Sequence, residues 1–315
     1  MQNIVRITSW RWLLLAAIIC TASLNVLLPF FMLPNHSPPV KGLGISQDGS
    51  LIINVPGLLA PVNGPPNDLM KQAILPKDKI KFSINCKDVC SQGPIELLVA
   101  VSSHAINIER RKSTRASFNV GNKKDNKVRL VFFLSSLPRL EGIQRKIQHE
   151  SDLYGDIVQL EALESYRNLT LKSVAILYWA GRYCAASKYI LKQDDDVKLH
   201  IPDVIRALRE RSVYFDHFIV GNSKILVESP IRDELSKYYT SLKEFKDPFY
   251  PIFAHGPGYA FPMATGKLLY EATLRTENFW LEDVYITGLC ATKAGVPVFF
   301  DPRFVLNEDW GNNLQ

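Results

Sequence analysis

The pattern of apolar and polar positions changes character along the chain. From Trp12 to Leu33 apolar residues run almost unbroken, interrupted only by Cys20, Thr21, Ser23, Asn25 and Pro29. A helix of that length spans about 30 Å, the thickness of a bilayer's hydrocarbon core. Arg6 and Arg11 flank it on the N-terminal side, and the next charged residue is Lys41. The positive-inside rule then keeps the N-terminus in the cytosol and sends the remainder into the lumen. A cleaved signal peptide is the rival reading, but its apolar core is normally shorter. From Pro34 the pattern loses its periodicity and is punctuated by Pro38-Pro39, Pro56-Gly57 and Gly64-Pro65-Pro66, as expected of a stem. The expected layout is a cytosolic tail (residues 1–11), a transmembrane signal-anchor (12–33), a lumenal stem (34–92) and a folded domain (93–315).

Within the folded domain, Glu96 to Ser102 and Val128 to Leu134 read as buried strands. Leu171, Val174, Leu177, Tyr178 and Gly181 recur at helical spacing. Tyr189 to Lys192 reads as a short strand, Pro202 opens a helix carrying Val204, Ile205 and Leu208, and Phe218 to Val220 is strand-like up to Gly221. Strands alternating with helices predict an α/β sandwich, in which chemistry gathers where strands end and loops begin.

Composition adds little, and mostly by exclusion. The net charge of +6 over 315 residues is not gathered into a block. Without a basic face interleaved with aromatic residues, a nucleic-acid enzyme is disfavoured. Cys20 lies in the apolar run, leaving Cys86, Cys90, Cys184 and Cys290, an even set with three full pairings open. Zinc at Cys86 and Cys90 lacks an accompanying ligand pair. Asn35-His36-Ser37 and Asn168-Leu169-Thr170 are sequons compatible with lumenal glycosylation at Asn35 and Asn168.

Three segments carry candidate chemistry. Asp194-Asp195-Asp196 follows directly on a strand. Adjacent carboxylates repel unless a cation or solvent screens them, so the triplet is either a solvated turn or a site for a hard cation such as Mn²⁺ or Mg²⁺. Glu282-Asp283-Val284 stands before a helix-like stretch closing at Gly295, where acids are also favoured by the helix dipole alone. Tyr250 to Tyr259, rich in Gly, Pro and aromatic residues, suits a shaped loop against which a sugar or base could stack.

Taken in order, these segments resemble the β-1,3-galactosyltransferase family, glycosyltransferase family 31. The resemblance runs from about Glu96 to Glu308. It includes Glu109 to Phe118 with its arginines, Glu150-Ser151, Tyr154-Gly155-Asp156-Ile157, Tyr166 to Lys172, Trp179, Cys184, Lys192 to Val197, Tyr250-Pro251, Gly256 to Tyr259, and Glu282 to Tyr285. It implies a GT-A type fold behind a membrane anchor, Golgi residence as a single-pass type II protein, a UDP-sugar donor, Mn²⁺, and inverting transfer to a glycan acceptor in β1,3 linkage. By matching position, Asp194 and Asp196 would hold the metal and Asp195 would shape the donor site. Arg111 and Arg115 would lie near the donor, Tyr259 and Glu282 would shape the sugar pocket, and Asp283 would be the base. Galactose is the first expectation for the sugar and N-acetylglucosamine the alternative. Rivals from other classes are a non-catalytic Golgi relative and a metal-dependent phosphatase. The chain departs from the family pattern at Phe118, where Trp is common, and at Lys198, where Phe usually follows the metal motif. Ala254 stands where many members carry Cys, and no histidine follows His255, whereas some branches use a downstream one as a metal ligand.

Overall fold

Apolar residues at successive strand positions demand cover on both faces of a sheet. β4 (Leu97–Ser102) shows this, with every residue buried. Leu98 and Ala100 join one core, and Leu97, Val99 and Val101 join the other. The computed structural model describes residues 43–45, 51–53, 80–91, 93–122, 127–223 and 227–306. The apolar run from Trp12 to Leu33 and the sequon at Asn35 lie outside these. Among the described residues no helix is long and apolar enough to cross a membrane. Within residues 1–54, which form a unit of their own, β1 (Leu43–Ile45) and β2 (Leu51–Ile53) pair antiparallel.

The main unit is built on an eight-stranded mixed sheet. Its strands are β3 (Phe82–Asn85), β4, β5 (Val128–Ser136), β6 (Ile157–Leu163), β7 (Tyr189–Asp194), β8 (Ile219–Ser223), β9 (Ala254–Pro262) and β10 (Val298–Phe300). They lie in the order β10-β8-β9-β7-β4-β5-β6-β3. β4, β5, β6 and β7 run parallel, while β9 is antiparallel to both β7 and β8. One face is covered by α3 (Leu169–Tyr183), α5 (Met263–Thr273) and a π-helical turn, Val284–Cys290, that continues into α6 (Ala291–Ala294). Ile147 of α2 (Glu141–Tyr154) and Val204, Ala207 and Leu208 of α4 (Ile201–Arg211) pack on the other. α1 (Ile108–Asn122) connects β4 to β5. A mixed central sheet with helices on both faces fits the GT-A architecture.

Several expectations are corrected. The folded unit reaches back past Gly93, because β3 pairs with β6 at the sheet's edge. The aromatic segment expected as a loop is largely strand β9. Pro257 is tolerated there because the β7 pairing starts at Gly258, and the β8 pairing shifts register between Gly221 and Ser223. In α3, Leu171 is exposed, while Ser173 to Leu177, Trp179 and Ala180 are buried. Of the four cysteines that follow the apolar run, Cys90 and Cys184 form a disulfide, and Cys86 and Cys290 are unpaired thiols that burial pushes up to about 12. The helix expected to close at Gly295 does so, with that glycine in the left-handed region at φ 65°.

Candidate active site

The parallel strands β4 and β7 end side by side, with Ser102 opposite Asp194. The acidic triplet begins there. Asp195 turns inward and anchors the loop after β4. It accepts from Ser103 Oγ at 2.7 Å, Asn107 Nδ2 at 2.9 Å and Arg110 Nη1 at 3.1 Å. Asp196 accepts from Arg110 Nη1 at 2.9 Å. Asp194 and Asp196 both line two adjoining cavities, of about 230 and 630 Å³, which also share Ser102, Tyr166 and Leu169.

Asp194 has a partner that sequence reasoning missed. Lys192 lies two positions earlier on the same strand face, is almost fully buried, and donates to Asp194 Oδ1 at 2.9 Å, Gly256 O at 2.8 Å and Glu282 Oε2 at 3.2 Å. Its ammonium has three N–H donors, and each finds an acceptor. Burial works against the charge, but Asp194 and Glu282 outweigh it and raise the lysine's pKa. Glu282 also accepts from the Tyr259 hydroxyl at 2.5 Å, and Tyr259 sits in register with Lys192 across the β7–β9 pair. Burial lifts the Asp194 carboxyl to about 6 although 38% of its side chain is exposed; Lys192 pulls the other way.

Asp283 stands beside this network in the wall of the larger cavity. Its Oδ2 accepts from Gly256 N at 3.0 Å and its Oδ1 from Val284 N at 2.9 Å. It therefore caps the π-helical turn, and each oxygen keeps a further lone pair. Burial and the Glu282 charge raise its pKa, against the two backbone donors. A carboxylate so placed is a stronger base than a solvated one.

The expected donor arginines stand behind the cavity walls. Arg111 is fully buried, and its donors go to Glu150 at 2.9 and 2.7 Å, Ser103 Oγ at 3.2 Å, His104 O at 2.9 Å and Ala105 O at 3.3 Å. That uses all five of a guanidinium's N–H groups. Arg115 holds Asp156 at 2.7 and 2.8 Å and Glu150 at 2.7 Å, with its guanidinium over the Tyr154 ring at 4.1 Å. Neither lines either cavity. Arg111 buttresses the loop after β4, Arg115 holds the Glu150 that Arg111 grips, and Arg110 is the arginine that meets the triplet. Sequence spacing alone cannot separate three near-adjacent arginines on one helix. Lys192 did leave a signal, a charge inside an apolar strand at i, i+2 from Asp194.

Asn168 ends the 3₁₀ turn before α3, and its Nδ2 donates to Leu163 O at 3.0 Å. His255 pairs with Glu228 at 2.8 Å in the larger cavity's wall. Among the described residues no three His, Cys, Asp or Glu side chains converge on a point that could hold a metal ion. Asp194 and Asp196 supply two hard oxygen donors, which suits a cation whose shell is completed by phosphate and water.

The galactosyltransferase family profile matches residues 109–301, well over half of the chain. The chain belongs to the galactosyltransferase family, a class of glycosyltransferases. It is 31% identical over 69% of its length to a human lactosylceramide 1,3-N-acetyl-β-D-glucosaminyltransferase, of which the match spans only 59%. It is 29% identical over 71% of its length to mouse β-1,3-galactosyltransferase 1, covering 68% of that protein. A solved 4-diphosphocytidyl-2C-methyl-D-erythritol synthase from Anaerococcus prevotii aligns with a TM-score of 0.36 at 14% identity over 68% of this chain and 92% of its own, a likeness too loose to argue from.

Proposed function

We propose that the chain transfers a hexose from a UDP-sugar to a hydroxyl of a glycan acceptor, inverting the anomeric centre to form a β1,3 linkage. Galactose is the first choice of sugar. N-acetylglucosamine is the alternative, because one of the two relatives named above is called a galactosyltransferase and the other an N-acetylglucosaminyltransferase. The carrying observation is that two separate carboxylate groups, Asp194 with Asp196 and Asp283, face one cavity in a chain of this family.

Inversion needs a single displacement from the face opposite the leaving group. The acceptor hydroxyl must lose its proton as the bond to carbon forms, so a base belongs on the acceptor side. Asp283 fills that role, held in orientation by Gly256 N–H and Val284 N–H. Asp194 and Asp196 belong on the diphosphate side, where they would hold Mn²⁺ or Mg²⁺. When bound, such an ion offsets charge on the departing diphosphate. Arg110, with about half of its side chain exposed, is positioned to exchange Asp196 for a phosphate oxygen. Glu282 shapes the sugar pocket between the two groups, Tyr259 lies outside the cavity lining and holds Glu282 from behind through its hydroxyl, and Asp195 fixes the loop beneath. A single-pass Golgi anchor formed by residues 12–33, a lumenal catalytic domain and glycosylation at Asn168 and Asn35 complete the proposal.

The test is transfer by the full chain, solubilised in detergent, from a panel of UDP-sugars to mixed glycan acceptors with Mn²⁺ and with chelator. Chelator-sensitive transfer from one donor is the expected result and names the sugar. UDP release that never depends on acceptor would instead indicate a phosphatase. Asp283→Asn should retain UDP-sugar binding and lose transfer about 10²–10⁴-fold; equal loss of binding and transfer refutes its role as base.

A further inference from the structure

Each carboxylate assigned to the diphosphate side has a cation of its own, and only one of the two cations is free to leave. Lys192, on Asp194, is buried and divides its three N–H groups among Asp194, Gly256 O and Glu282. Arg110, on Asp196, has 52% of its side chain exposed, against 37% for Asp196. It stands near the start of α1, three positions after Asn107. It lines neither cavity, and reaches from outside onto Asp195 and Asp196, which do.

Its contact has two unequal legs. A single nitrogen, Nη1, donates to Asp195 Oδ1 at 3.1 Å and to Asp196 Oδ2 at 2.9 Å. The Asp195 side chain is only 6% exposed and also accepts from Ser103 and Asn107, so that leg is anchored. The Asp196 carboxylate has no other partner among the described residues, and its leg is exposed. An exposed ion pair shifts an equilibrium by at most about fivefold, so it is readily exchanged. Nη1 accounts for two of the guanidinium's five N–H groups. Among the described residues Nε–H and both Nη2–H make no contact. That edge is the fork that takes two phosphate oxygens side by side.

We propose that Arg110 couples the cation to the donor: it holds Asp196 until a diphosphate draws it away, so that a divalent ion and the UDP-sugar bind as a pair. This rests on the hexosyltransferase reading, which puts both at Asp194 and Asp196. The cause is competition. A guanidinium at hydrogen-bond distance offsets the charge of Asp196 and repels a second cation there. Asp196 can take an ion alone only by giving up the arginine, which then gains no new partner. With a diphosphate beside the triplet, the fork has oxygens to turn to, Asp195 keeps the guanidinium within reach, and Asp196 is released. Lys192 cannot act in this way, because Gly256 O and Glu282 hold it in place. The coupling is reciprocal: the factor by which UDP raises affinity for the ion is the factor by which the ion raises affinity for UDP.

The test is a binding cycle on the full chain in detergent, unaltered and as Arg110→Gln, with Mn²⁺ and UDP as the probes. Glutamine keeps a donor for Asp195 and removes the charge, and the position is exposed, so the core is untouched. Mn²⁺ binding without nucleotide is followed by the electron paramagnetic resonance of the free ion, and UDP binding by calorimetry with Mn²⁺ and with chelator. In Arg110→Gln, Mn²⁺ alone should bind about threefold more tightly, its competitor being gone. UDP with saturating Mn²⁺ should bind about tenfold more weakly, for loss of the charged donors. The ratio of UDP affinities with and without Mn²⁺ should fall about threefold. Shifts of opposite sign distinguish coupling from a structural role, which would weaken both or neither. Mn²⁺ affinity that falls or stays the same, or a ratio equal in the two proteins, overturns the proposal; where Mn²⁺ alone binds too weakly to follow in either protein, the ratio decides by itself. A chain that binds no UDP under either condition overturns the transferase reading and this proposal with it, whereas UDP binding with an unchanged ratio overturns this proposal alone.

Discussion

Lys192→Met gives the sharpest test of how the site is held together. The substitution keeps the length of the side chain and removes the ammonium that joins Asp194, Gly256 O and Glu282. Breaking a buried ion pair by deleting one partner typically costs about 3–5 kcal/mol, because the other charge stays behind unpaired. Here two carboxylates lose their cation, but not equally. Glu282 is 8% exposed and keeps only the Tyr259 hydroxyl, whereas 38% of the Asp194 side chain is exposed and water screens it. Glu282 therefore carries most of the penalty, and the lower end, about 3 kcal/mol, is expected. For a domain of this size that lowers Tm by roughly 6–12 °C. The assay is thermal unfolding of the full chain, alone and in a cycle with Glu282→Gln. Removing the stranded carboxylate should recover about 1–2 kcal/mol, since paired residues are non-additive. A Tm within about 2 °C of the unaltered protein would refute the reasoning. So would a double variant no more stable than Lys192→Met alone.

Three further outcomes follow. Asp196→Ala should abolish the metal dependence of UDP-sugar binding, read by titration calorimetry with Mn²⁺ and with chelator; unchanged Mn²⁺-dependent affinity counts against its role as a ligand. Glu150→Gln should destabilise most at neutral pH. Burial opposes ionisation there, but Arg111 and Arg115 overcome it and hold the carboxyl below its ordinary 4.5. That contribution is complete above 4.5 and lost as pH falls through the depressed folded value, so the stability gap should narrow as pH falls below 4.5. A gap independent of pH would show that the loss is packing alone. Replacing Cys90 and Cys184 together by Ser opens a loop spanning a sequence separation of 94 and should cost about 2–4 kcal/mol, checked by denaturation with and without reductant. Insensitivity of the unaltered protein to reductant would argue against the bridge.

The parts of the fold legible in the sequence were those where burial dictates composition. β4, the run Leu130 to Leu134 of β5 and the opening Tyr189-Ile190-Leu191 of β7 are apolar because helices cover both faces, and such runs read plainly. β3 was hidden because four residues at a sheet edge, in a stretch following Pro- and Gly-rich sequence, carry almost no pattern of their own. β9 was hidden for the opposite reason. Its glycines and Pro257 signal a turn, and only the register shift against β8 explains how a central strand carries them. The two acid groups were visible as local clusters. Their shared cavity and the commitment of Arg111 and Arg115 to Glu150 and Asp156 were not, because both depend on contacts between residues distant in sequence.

The antiparallel insertion of β9 explains why these distant clusters meet. Were β7 flanked only by parallel neighbours, residues near Asp194 would face other strand C-termini and the loops that follow them. With β9 reversed, its N-terminal half lies against the C-terminal end of β7, so Gly258 opposes Gln193 and Tyr259 opposes Lys192. Gly256, two residues before that pairing begins, then offers both of its backbone groups to the site. Its carbonyl accepts a hydrogen bond from Lys192, and its N–H donates to Asp283. One peptide segment thus links Asp194, by way of Lys192, to Asp283 through fixed hydrogen bonds. A shift of β9 by a single residue would move both together and also turn Tyr259 to the opposite face. On the proposed inverting reaction, the spacing that a single displacement requires would therefore be set by sheet register.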